Sequence, residues 1–347
     1  MGHRRRNQPS VPRVGIIGCG NIGSLWDEQD ASSQVWTHAG AYLKCPETEL
    51  VALSDTNSER LTACGKARGI NALYPDYRDL LTQESLDILS ICTPADYRYD
   101  IFEAALTAGI RFFYCEKPVA KSRAEAERLQ ALIQQYPDAR ITVNYLRRWE
   151  PGLEQVGRLI HSGELGRIQR VTANYGKGIV NNGTHLIDLL CRYFDPPIGV
   201  NTVRKIEDEL KDDATLDVVL DFSGSWGRFP CYILGSDHRC YSLFEMDIIA
   251  EKGRVFIANH QPIRFYPTVP DRYFPGYTQL QDAVILSTDL AHAMLFAVEE
   301  LAALYRGEMA HSRCDFSDAL TALEVADAAI RSFHEHKPIM LCYEQNE

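Results

Sequence analysis

A carboxylate and an ammonium group stand side by side where an apolar run of the sequence ends. Phe112-Phe113-Tyr114-Cys115 has the composition of a short buried strand, and Glu116, Lys117 and Pro118 follow it directly. Ligands of open α/β sheets bind beyond the carboxyl ends of the strands, so the pattern predicts that both charges face a ligand. Pro118 ends the strand and keeps Lys117 extended. The alternative interpretation is a surface ion pair that caps a strand.

A second candidate binding motif is Gly18-Cys19-Gly20-Asn21-Ile22-Gly23, which has the form G-x-G-x-x-G. It follows an apolar strand, 13–17, and precedes a helical pattern, which is the context that a dinucleotide-binding turn requires. Gly18 permits the tight turn, Gly20 lets a pyrophosphate approach the backbone, and Gly23 lets helix and strand pack closely. The alternative is a plain glycine-rich turn.

The residues beyond this turn extend the prediction to a whole cofactor. Asn21 and Ile22 would present backbone N–H groups to the phosphates, where the helix dipole favours negative charge. The next apolar strand, 50–54, ends at Asp55, which would accept hydrogen bonds from both hydroxyls of an adenosine ribose. No Arg or Lys stands beside Asp55 to hold a 2′-phosphate, which favours NAD over NADP. The alternative is that Asp55 only caps the helix after it.

The spacing between the glycines and this acid is unusual. Asp55 follows Gly23 by 32 positions, whereas about 20 are usual. The excess falls around residues 26–36, which we interpret as a loop between the glycine turn and a helix from Thr37 to Lys44. Long loops in compact domains are often functional, so one hypothesis is that this loop overhangs a cofactor or a substrate. The other is a surface excursion without a function.

Strands and helices alternate to about residue 145, which predicts an α/β domain with a doubly wound parallel sheet. From residue 146 onward, strand-like runs joined by short turns predominate, and two helices follow near the C-terminus. That pattern predicts a C-terminal α+β domain with an open, mainly antiparallel sheet. The chain is thus expected to divide into a disordered tail (1–11), a dinucleotide-binding Rossmann domain (12–145) and a second domain (146–347).

Composition argues against several classes of partner. The chain has 347 residues, a formal net charge of -11 and a pI near 5.4, which speak against binding of nucleic acid. No apolar run approaches the roughly 20 residues of a membrane span, and no signal-peptide core precedes the first strand. The ten cysteines form no C-x-x-C pair and the histidines do not cluster, so we expect no metal site and a reducing, cytoplasmic location.

Further short motifs occur in order along the chain. They are Cys92-Thr93-Pro94, Glu116-Lys117-Pro118, Arg147-Arg148-Trp149-Glu150-Pro151, Ser162-Gly163-Glu164-Leu165-Gly166 and Gly183-Thr184-His185-Leu186-Ile187-Asp188. With the glycine motif, this ordered set resembles the Gfo/Idh/MocA oxidoreductase family over about residues 14–341. The resemblance implies a Rossmann domain followed by a substrate-binding domain whose open sheet often forms homodimers or homotetramers. It also implies NAD(P)-linked hydride transfer at a carbon of a sugar, a cyclitol or a sugar derivative.

The resemblance also assigns catalytic roles. It places Lys117 and His185 beside the nicotinamide ring, with proton transfer carried by the histidine. Histidine suits this role because its ordinary pKa lies near 6.5. Lys117 would donate to the oxygen that gains negative charge, although a desolvated lysine could itself be the base. The alternatives are a hydrogen-bonded core histidine and a surface salt bridge. In relatives the peptide bond before the proline is frequently cis, so we expect a cis Lys117–Pro118 bond.

Binding roles follow from the same motifs. The residues expected to contact the cofactor are Gly18, Gly20, Asn21, Ile22, Gly23, Asp55, Thr93, Pro94, Glu116 and Lys117. Those expected to contact the substrate are Lys117, Lys177, Asn181, Thr184 and His185.

The sequence departs from the family pattern at Asn181, where relatives usually carry Asp. An amide cannot accept a proton, although it can hydrogen-bond a substrate hydroxyl. Asp188 stands one helical turn after His185 and either orients its imidazole or is an ordinary helix residue. Arg147 or Arg148 would add a donor for an anionic substrate, unless a salt bridge between the domains engages it.

Three functions are compatible with these observations. The first is an NAD-dependent dehydrogenase or reductase that acts on a sugar-like substrate. The second is a glycoside-cleaving enzyme that uses tightly held NAD transiently, as some relatives do. The third is an NAD-binding regulator without catalytic activity, since a fold does not determine a function. The presence of both Lys117 and His185 favours an enzyme.

Overall fold

The computed structural model describes residues 11–28, 33–208, 210 and 212–343, so the predicted tail (1–11) lies outside it except for Val11. The strands are β1 (Arg13–Ile17), β2 (Glu49–Ser54), β3 (Ala72–Tyr74), β4 (Ile88–Ile91), β5 (Phe112–Cys115), β6 (Arg140–Val143), β7 (Ile168–Gly176), β8 (Gly199–Lys205), β9 (Leu216–Gly224), β10 (Gly227–Ser236), β11 (Phe244–Ala250), β12 (Gly253–Ala258), β13 (Ile263–Pro270), β14 (Thr278–Leu280), β15 (Val284–Leu286) and β16 (Ile339–Met340). The α-helices are α1 (His38–Lys44), α2 (Ser58–Arg68), α3 (Tyr77–Gln83), α4 (Arg98–Thr107), α5 (Arg123–Ile133), α6 (Pro151–His161), α7 (Thr184–Phe194), α8 (Ala293–Arg306) and α9 (Phe316–Glu335). No helix in this part of the chain is long and apolar enough to cross a membrane.

The first sheet confirms the predicted parallel, doubly wound arrangement. Its strand order is β3-β2-β1-β4-β5-β6, and every neighbouring pair is parallel. The strand order reverses between β1 and β4, and ligands of such sheets bind at the carboxyl ends of the strands on either side of this point. The glycine turn follows β1 and Thr93 follows β4, so the fold places two of the predicted binding segments at that edge.

The second sheet is mainly antiparallel, as predicted. Over the described residues its order is β14-β13-β12-β11-β7-β10-β9-β8-β16, with β15 paired to β13. One pair, β7 with β10, is parallel, which the sequence analysis did not anticipate. Helix α7 packs on β9 and α6. Buried and half-buried residues alternate along β11, so one face of the sheet is covered and the other is more open.

The chain forms two compact units whose boundaries differ from the predicted ones. The first unit runs to Trp149 and includes Ala291–Ala319; the second comprises Glu150–Leu290 and the chain from Leu320 onward. Residues 291–319 were expected in the C-terminal domain. They belong to the first unit because α8 packs against α1 and β5, where Tyr305 meets Phe112 edge to face at 5.3 Å. Local patterns do not show such a return of the chain.

An insertion inside the first helix explains the long spacing between the glycines and Asp55. In a continuous α-helix, the carbonyl of residue 22 bonds the amide of residue 26. Here the Ile22 carbonyl accepts from His38 N at 3.0 Å, and the Gly23 carbonyl accepts from Ala39 N at 3.0 Å. Each bond is displaced by 12 positions (38 for 26, 39 for 27). Without these 12, the spacing of 32 returns to the usual value of about 20.

The carboxylate of Asp27 ties the end of this insertion to the helix that resumes after it. It accepts from the amides of Trp36 and Thr37, both at 3.1 Å, and from the Thr37 hydroxyl at 2.6 Å. Arg68 from α2 forms an ion pair with the same carboxylate, and both side chains are largely buried. Gly40 lies directly beneath, where a Cβ would come within 2.3 Å of an Asp27 oxygen. The described ends of the predicted loop are therefore anchored to the sheet domain.

We predict that Asp27→Asn destabilises the protein by about 3 kcal/mol, because the buried Arg68 loses its charge partner. The measurement is the midpoint of urea unfolding. The exposed pair Arg123–Glu127 supplies the control, since Glu127→Gln should cost less than about 1 kcal/mol. Equal midpoints for Asp27→Asn and the wild type would show that the insertion is not held by this carboxylate.

Candidate active site

The three glycines of the turn differ in their local geometry. Gly18 adopts a φ of +99°, which favours glycine, and a Cβ there would lie 2.9 Å from the Cys92 carbonyl carbon. A Cβ on Gly23 would lie 2.0 Å from the Gly18 carbonyl oxygen, so close packing of the turn excludes any side chain. Among the described residues, no atom beyond Gly20 and its two chain neighbours lies within 4 Å of where a Cβ on Gly20 would be. This open space over the backbone fits the pyrophosphate of a dinucleotide.

Asp55 is buried at the end of β2 and its two oxygens receive four hydrogen bonds. The amides of Cys19 and Asn57 donate at 2.8 Å each, and Arg60 donates from Nε at 2.9 Å and from Nη2 at 2.7 Å. Burial raises the pKa of Asp55, but the bonds from Arg60 and the two amides outweigh it and hold the pKa below its ordinary value. The carboxylate is therefore charged, and it joins the glycine turn to β2.

Arg60 corrects the expectation that no cation stands near Asp55. It lies in the first turn of α2, five positions along the sequence, and its side chain is 38% exposed. The first turn of α2 returns the Arg60 side chain to the end of β2. The residues adjacent to Asp55 in the sequence do not indicate this contact. A carboxylate offers about four acceptor positions, so ribose hydroxyls would take the positions that the exposed Arg60 now occupies.

Arg98 organises the backbone on both sides of Lys117. This arginine of α4 is buried, and it donates to the carbonyl of Thr93 from Nε at 3.1 Å and from Nη2 at 2.7 Å. Its Nη1 donates to the carbonyls of Glu116 and Pro118, the two neighbours of Lys117. The Lys117–Pro118 peptide bond is cis, which confirms that prediction. One guanidinium thus joins the segments that follow β4 and β5.

Glu116 is buried, and its carboxylate points into the protein. Its Oε1 lies 3.0 Å from Nε2 of His38, the fully buried first residue of α1. The other ring nitrogen of His38 lies 3.0 Å from the Ser90 hydroxyl, which in turn lies 2.9 Å from the Tyr42 hydroxyl. A chain of hydrogen bonds therefore links the end of β5 to β4 and α1. The Glu116 carboxylate, which was predicted to contact the cofactor, thus takes part in this interior network.

The network has a second branch at the end of β6. Asn144 donates from Nδ2 to Glu116 Oε1 at 2.5 Å, and its Oδ1 accepts from the Tyr114 hydroxyl at 2.7 Å. The Tyr114 ring packs against the His38 ring with their centroids 4.3 Å apart and their planes tilted by 42°. Burial raises the pKa of Glu116, but the bonds from His38 and Asn144 and the charge of Lys117 outweigh it and lower the pKa. Glu116 is therefore a carboxylate held inside the protein.

In the second unit, the predicted substrate residues lie on an irregular segment between β7 and α7. Lys177 has a φ of +69° and Gly178 a φ of +81°, and residues 178–183 then form a π-helical turn. π-Helical turns and left-handed non-glycine residues are often found at functional sites. Lys177 is exposed and Asn181 is partly exposed. Both are placed where a ligand can reach them.

Asp213 holds this irregular segment in place. Its two carboxylate oxygens accept from the amides of Val180 at 2.9 Å and Asn181 at 2.8 Å. A Cβ on Gly178 would lie 2.0 Å from the same carboxylate, so only glycine fits there. Residue 181 is Asn, so its side chain lacks the carboxylate that the family pattern places at this position. A different carboxylate, from the connection between β8 and β9, lies against the backbone of Asn181.

His185 is the second residue of α7 and is largely buried, at 8% exposure. Thr184 is fully buried and its hydroxyl donates to the Val180 carbonyl at 2.7 Å, so it stabilises the start of the helix. Asp188 is also buried. Arg148 pairs with Asp318 at 2.9 Å and donates to the Arg313 carbonyl at 2.6 Å. These partners lie in the first unit, as Arg148 does, so these two contacts are not the expected bridge between domains.

Sequence reasoning did not find several residues that organise these sites. They are His38, Arg60, Arg98, Asn144 and Asp213. For His38 a signal existed, since it stands where the helix must resume after the insertion. Over the described residues, no group of three or more His, Cys, Asp or Glu side chains is arranged to hold a metal ion.

Comparison with known proteins shows what the chain resembles. Residues 12–145 match a family described as an oxidoreductase family with an NAD-binding Rossmann fold. Inositol 2-dehydrogenase of Rhizobium meliloti (strain 1021) is 26% identical over 351 residues, which cover 95% of this chain and 99% of that enzyme. D-apiose dehydrogenase of Paraburkholderia graminis is 36% identical over 151 residues, which cover 44% of this chain. That match spans only 36% of the enzyme's own length, and several others also span less than half.

Solved structures share the fold at low sequence identity. The crystal structure of an oxidoreductase from Agrobacterium radiobacter, in complex with NAD+, L-tartaric acid and magnesium, is 17% identical and aligns with a TM-score of 0.75. The alignment covers 95% of this chain and 98% of that one. This likeness extends over both units, beyond the residues that the family match covers.

We predict that Arg98→Met loosens the segment around Lys117, because three carbonyl groups lose the guanidinium that donates to them. The measurement is hydrogen–deuterium exchange of the peptide that spans residues 112–121, which should exchange at least about tenfold faster. Arg111→Met is the matched control. Arg111 donates to the Leu106 and Ile110 carbonyls at the opposite end of β5, so its loss should leave exchange after Glu116 unchanged. Unchanged exchange in Arg98→Met would contradict the assignment.

Proposed function

We propose that this chain, whose residues 12–145 match the Gfo/Idh/MocA oxidoreductase family and which is similar over 95% of its length to an inositol 2-dehydrogenase, is an NAD-dependent dehydrogenase or reductase. Its substrate is a sugar, a cyclitol or a sugar derivative, and NADP is the poorer cofactor. The observation that carries the proposal is the glycine turn at the reversal of strand order, with open space over Gly20 and a charged Asp55 at the neighbouring strand end.

Cofactor binding is assigned to the three segments at the carboxyl edge of the first sheet. The amides of Asn21 and Ile22 follow Gly20 at a helix start, where they suit phosphate oxygens. Asp55 suits the ribose hydroxyls. Thr93 and Pro94 follow β4 and are held by Arg98, which also holds the backbone of Glu116. Bound NAD+ supplies the acceptor for the hydride.

Lys117 and His185 are assigned the catalytic roles. His185 accepts the proton of the substrate hydroxyl, and Lys117 donates to the oxygen on which negative charge develops. Glu116 favours this division of labour because its carboxylate stabilises the charged form of Lys117. A lysine that stays protonated is a donor and not the base. Lys177 and Asn181 are assigned to substrate binding, since they lie next to His185 in sequence and are accessible.

Relatives suggest the kind of substrate to test first. The two named enzymes above are dehydrogenases of inositol and of D-apiose. Both names denote polyhydroxylated compounds, which need many hydrogen-bonding groups in a site. We therefore infer that neutral cyclitols and aldoses are better substrates than anionic sugar derivatives. Arg148 supports this inference, because its guanidinium is engaged within the first unit and adds no cation for an acid.

We predict that a panel of cyclitols, aldoses and nucleotide sugars contains a substrate that reduces NAD+, read by NADH absorbance, with NADP+ slower. Lys117→Met and His185→Asn should each lower kcat by about 100-fold or more. Both variants should retain NAD+ affinity, measured by calorimetry. The double variant should fall little below the weaker single variant if both residues serve one step. Lys121→Met, which removes an exposed lysine paired with Asp96, is the control with unchanged turnover.

Three results would overturn this proposal. The first is NAD+ binding without reduction by any member of the panel, combined with cleavage of a glycoside, which would favour transient redox chemistry. The second is full turnover in both Lys117→Met and His185→Asn. NAD+ binding with no catalysis at all would favour a regulator.

We also infer that the chain forms a homodimer or a homotetramer through the open face of its second sheet. Tyr232 and Leu234 of β10 are exposed on this face at 39% and 37%, beside Thr172 and Asn174 of β7. The ten cysteines are free thiols, which fits the proposed cytoplasmic location.

Size-exclusion chromatography with light scattering tests the assembly. The wild type should have at least twice the monomer mass, and a Tyr232→Glu, Leu234→Glu double variant should be monomeric, because charges would be buried in the interface. Leu43→Glu, which places a charge at an exposed residue of the first unit, should assemble as the wild type does. A monomeric wild type would contradict the inference.

A further inference from the structure

The buried residue His38 lies at the junction of the glycine turn and the lysine segment. Its amide donates to the Ile22 carbonyl in the helix of the turn, and its ring bonds Glu116, the neighbour of Lys117. We propose that His38 is a positioning residue for Lys117, which it serves by holding Glu116 as a fixed carboxylate. The inference rests on the proposed function, in which Lys117 acts as a cation.

The network around Glu116 is closed at both ends, so it does not conduct protons. One branch ends at the Tyr42 hydroxyl and the other at the Tyr114 hydroxyl, and both tyrosines are at most 1% exposed. Burial raises the pKa of both phenols far above the ordinary value, so both stay protonated. A proton from Lys117 has no route to solvent through this chain of bonds. What the network can do is keep a charge in one place.

Holding that charge requires His38. A buried carboxylate without donors prefers its protonated form. Glu116 Oε1 receives bonds from His38 and Asn144, and loss of the imidazole leaves only the amide. The charged or titratable groups around Glu116 are His38 from α1, Arg98 from α4, Lys117 from its own segment, the Tyr114 phenol and the thiols of Cys92 and Cys115. Without His38, the pKa of Glu116 rises, and the negative charge beside Lys117 is weakened.

The test is the pKa of Lys117 itself in the cofactor-free protein. Lysines are dimethylated with carbon-13 and titrated by NMR, and the Lys117 signal is assigned by its absence in Lys117→Arg. Glu116→Gln, which preserves shape, should lower the pKa of Lys117 by about 1 because an opposite charge is removed. His38→Ala should lower it by a similar amount. His38→Gln, which restores an N–H donor towards Glu116, should recover most of the difference.

Two controls separate a held charge from a proton relay and from general damage. Tyr42→Phe removes the far end of the network and should leave the pKa of Lys117 unchanged, whereas a relay would require it. His161→Ala removes a histidine that bonds the Tyr193 carbonyl in the second unit, and it should have no effect. The proposal is overturned if Glu116→Gln leaves Lys117 unchanged, or if Tyr42→Phe shifts its pKa as much as His38→Ala. Glu116→Gln decides the matter if His38→Ala does not fold.

Turnover provides the second measurement. With the substrate found in the panel, His38→Ala should lower kcat on the order of tenfold while the KM for NAD+ stays unchanged. A rise in KM with unchanged kcat would contradict a role exerted through Lys117. If no compound is turned over, the proposed function fails, but the titration still decides whether His38 sets the charge state of Lys117.

Discussion

Burial of one carboxylate constrains the whole first unit. Removing an ionised Glu116 from water costs several kcal/mol unless its oxygens are hydrogen-bonded. Its donors come from α1 and from the end of β6, while Arg98 of α4 binds the backbone of the same residue. Correct packing of α1, α4 and the end of β6 is therefore required for β5 to end in a buried charged residue. The same contacts determine where Lys117 leaves the sheet.

The insertion after the glycine turn shows how strongly this constraint acts. Twelve additional residues enter the first helix, yet the helix resumes with the hydrogen bonds of an uninterrupted one, from His38 N to Ile22 O. Asp27 then secures the inserted chain against Thr37 and Arg68. Had the helix resumed one position later, another residue would occupy the place of His38 and Glu116 would lose its bond. The register of the resumed helix thus places His38 against Glu116.

Local features could be predicted from the sequence and long-range ones could not. Gly18 is required by its own backbone geometry and Gly23 by a contact five residues away, so a motif suffices to detect them. The parallel sheet follows from alternating patterns, and the cis bond before Pro118 follows from the family. The partners of charged groups depend instead on topology: 78 positions separate His38 from Glu116, and 33 separate Val180 from Asp213. The return of 291–319 to the first unit is missed for the same reason.

We propose that this chain transfers a hydride to a nicotinamide, with Lys117 as a fixed cation. The most direct measurement is mass spectrometry of the cofactor after incubation of NAD+ with a carbon-deuterated polyol. The account predicts deuterium in the reduced nicotinamide with the wild type, and NAD+ that is bound but unlabelled with Lys117→Met. Substrate oxidation with no deuterium in the cofactor, or equal labelling with Lys117→Met, would contradict it.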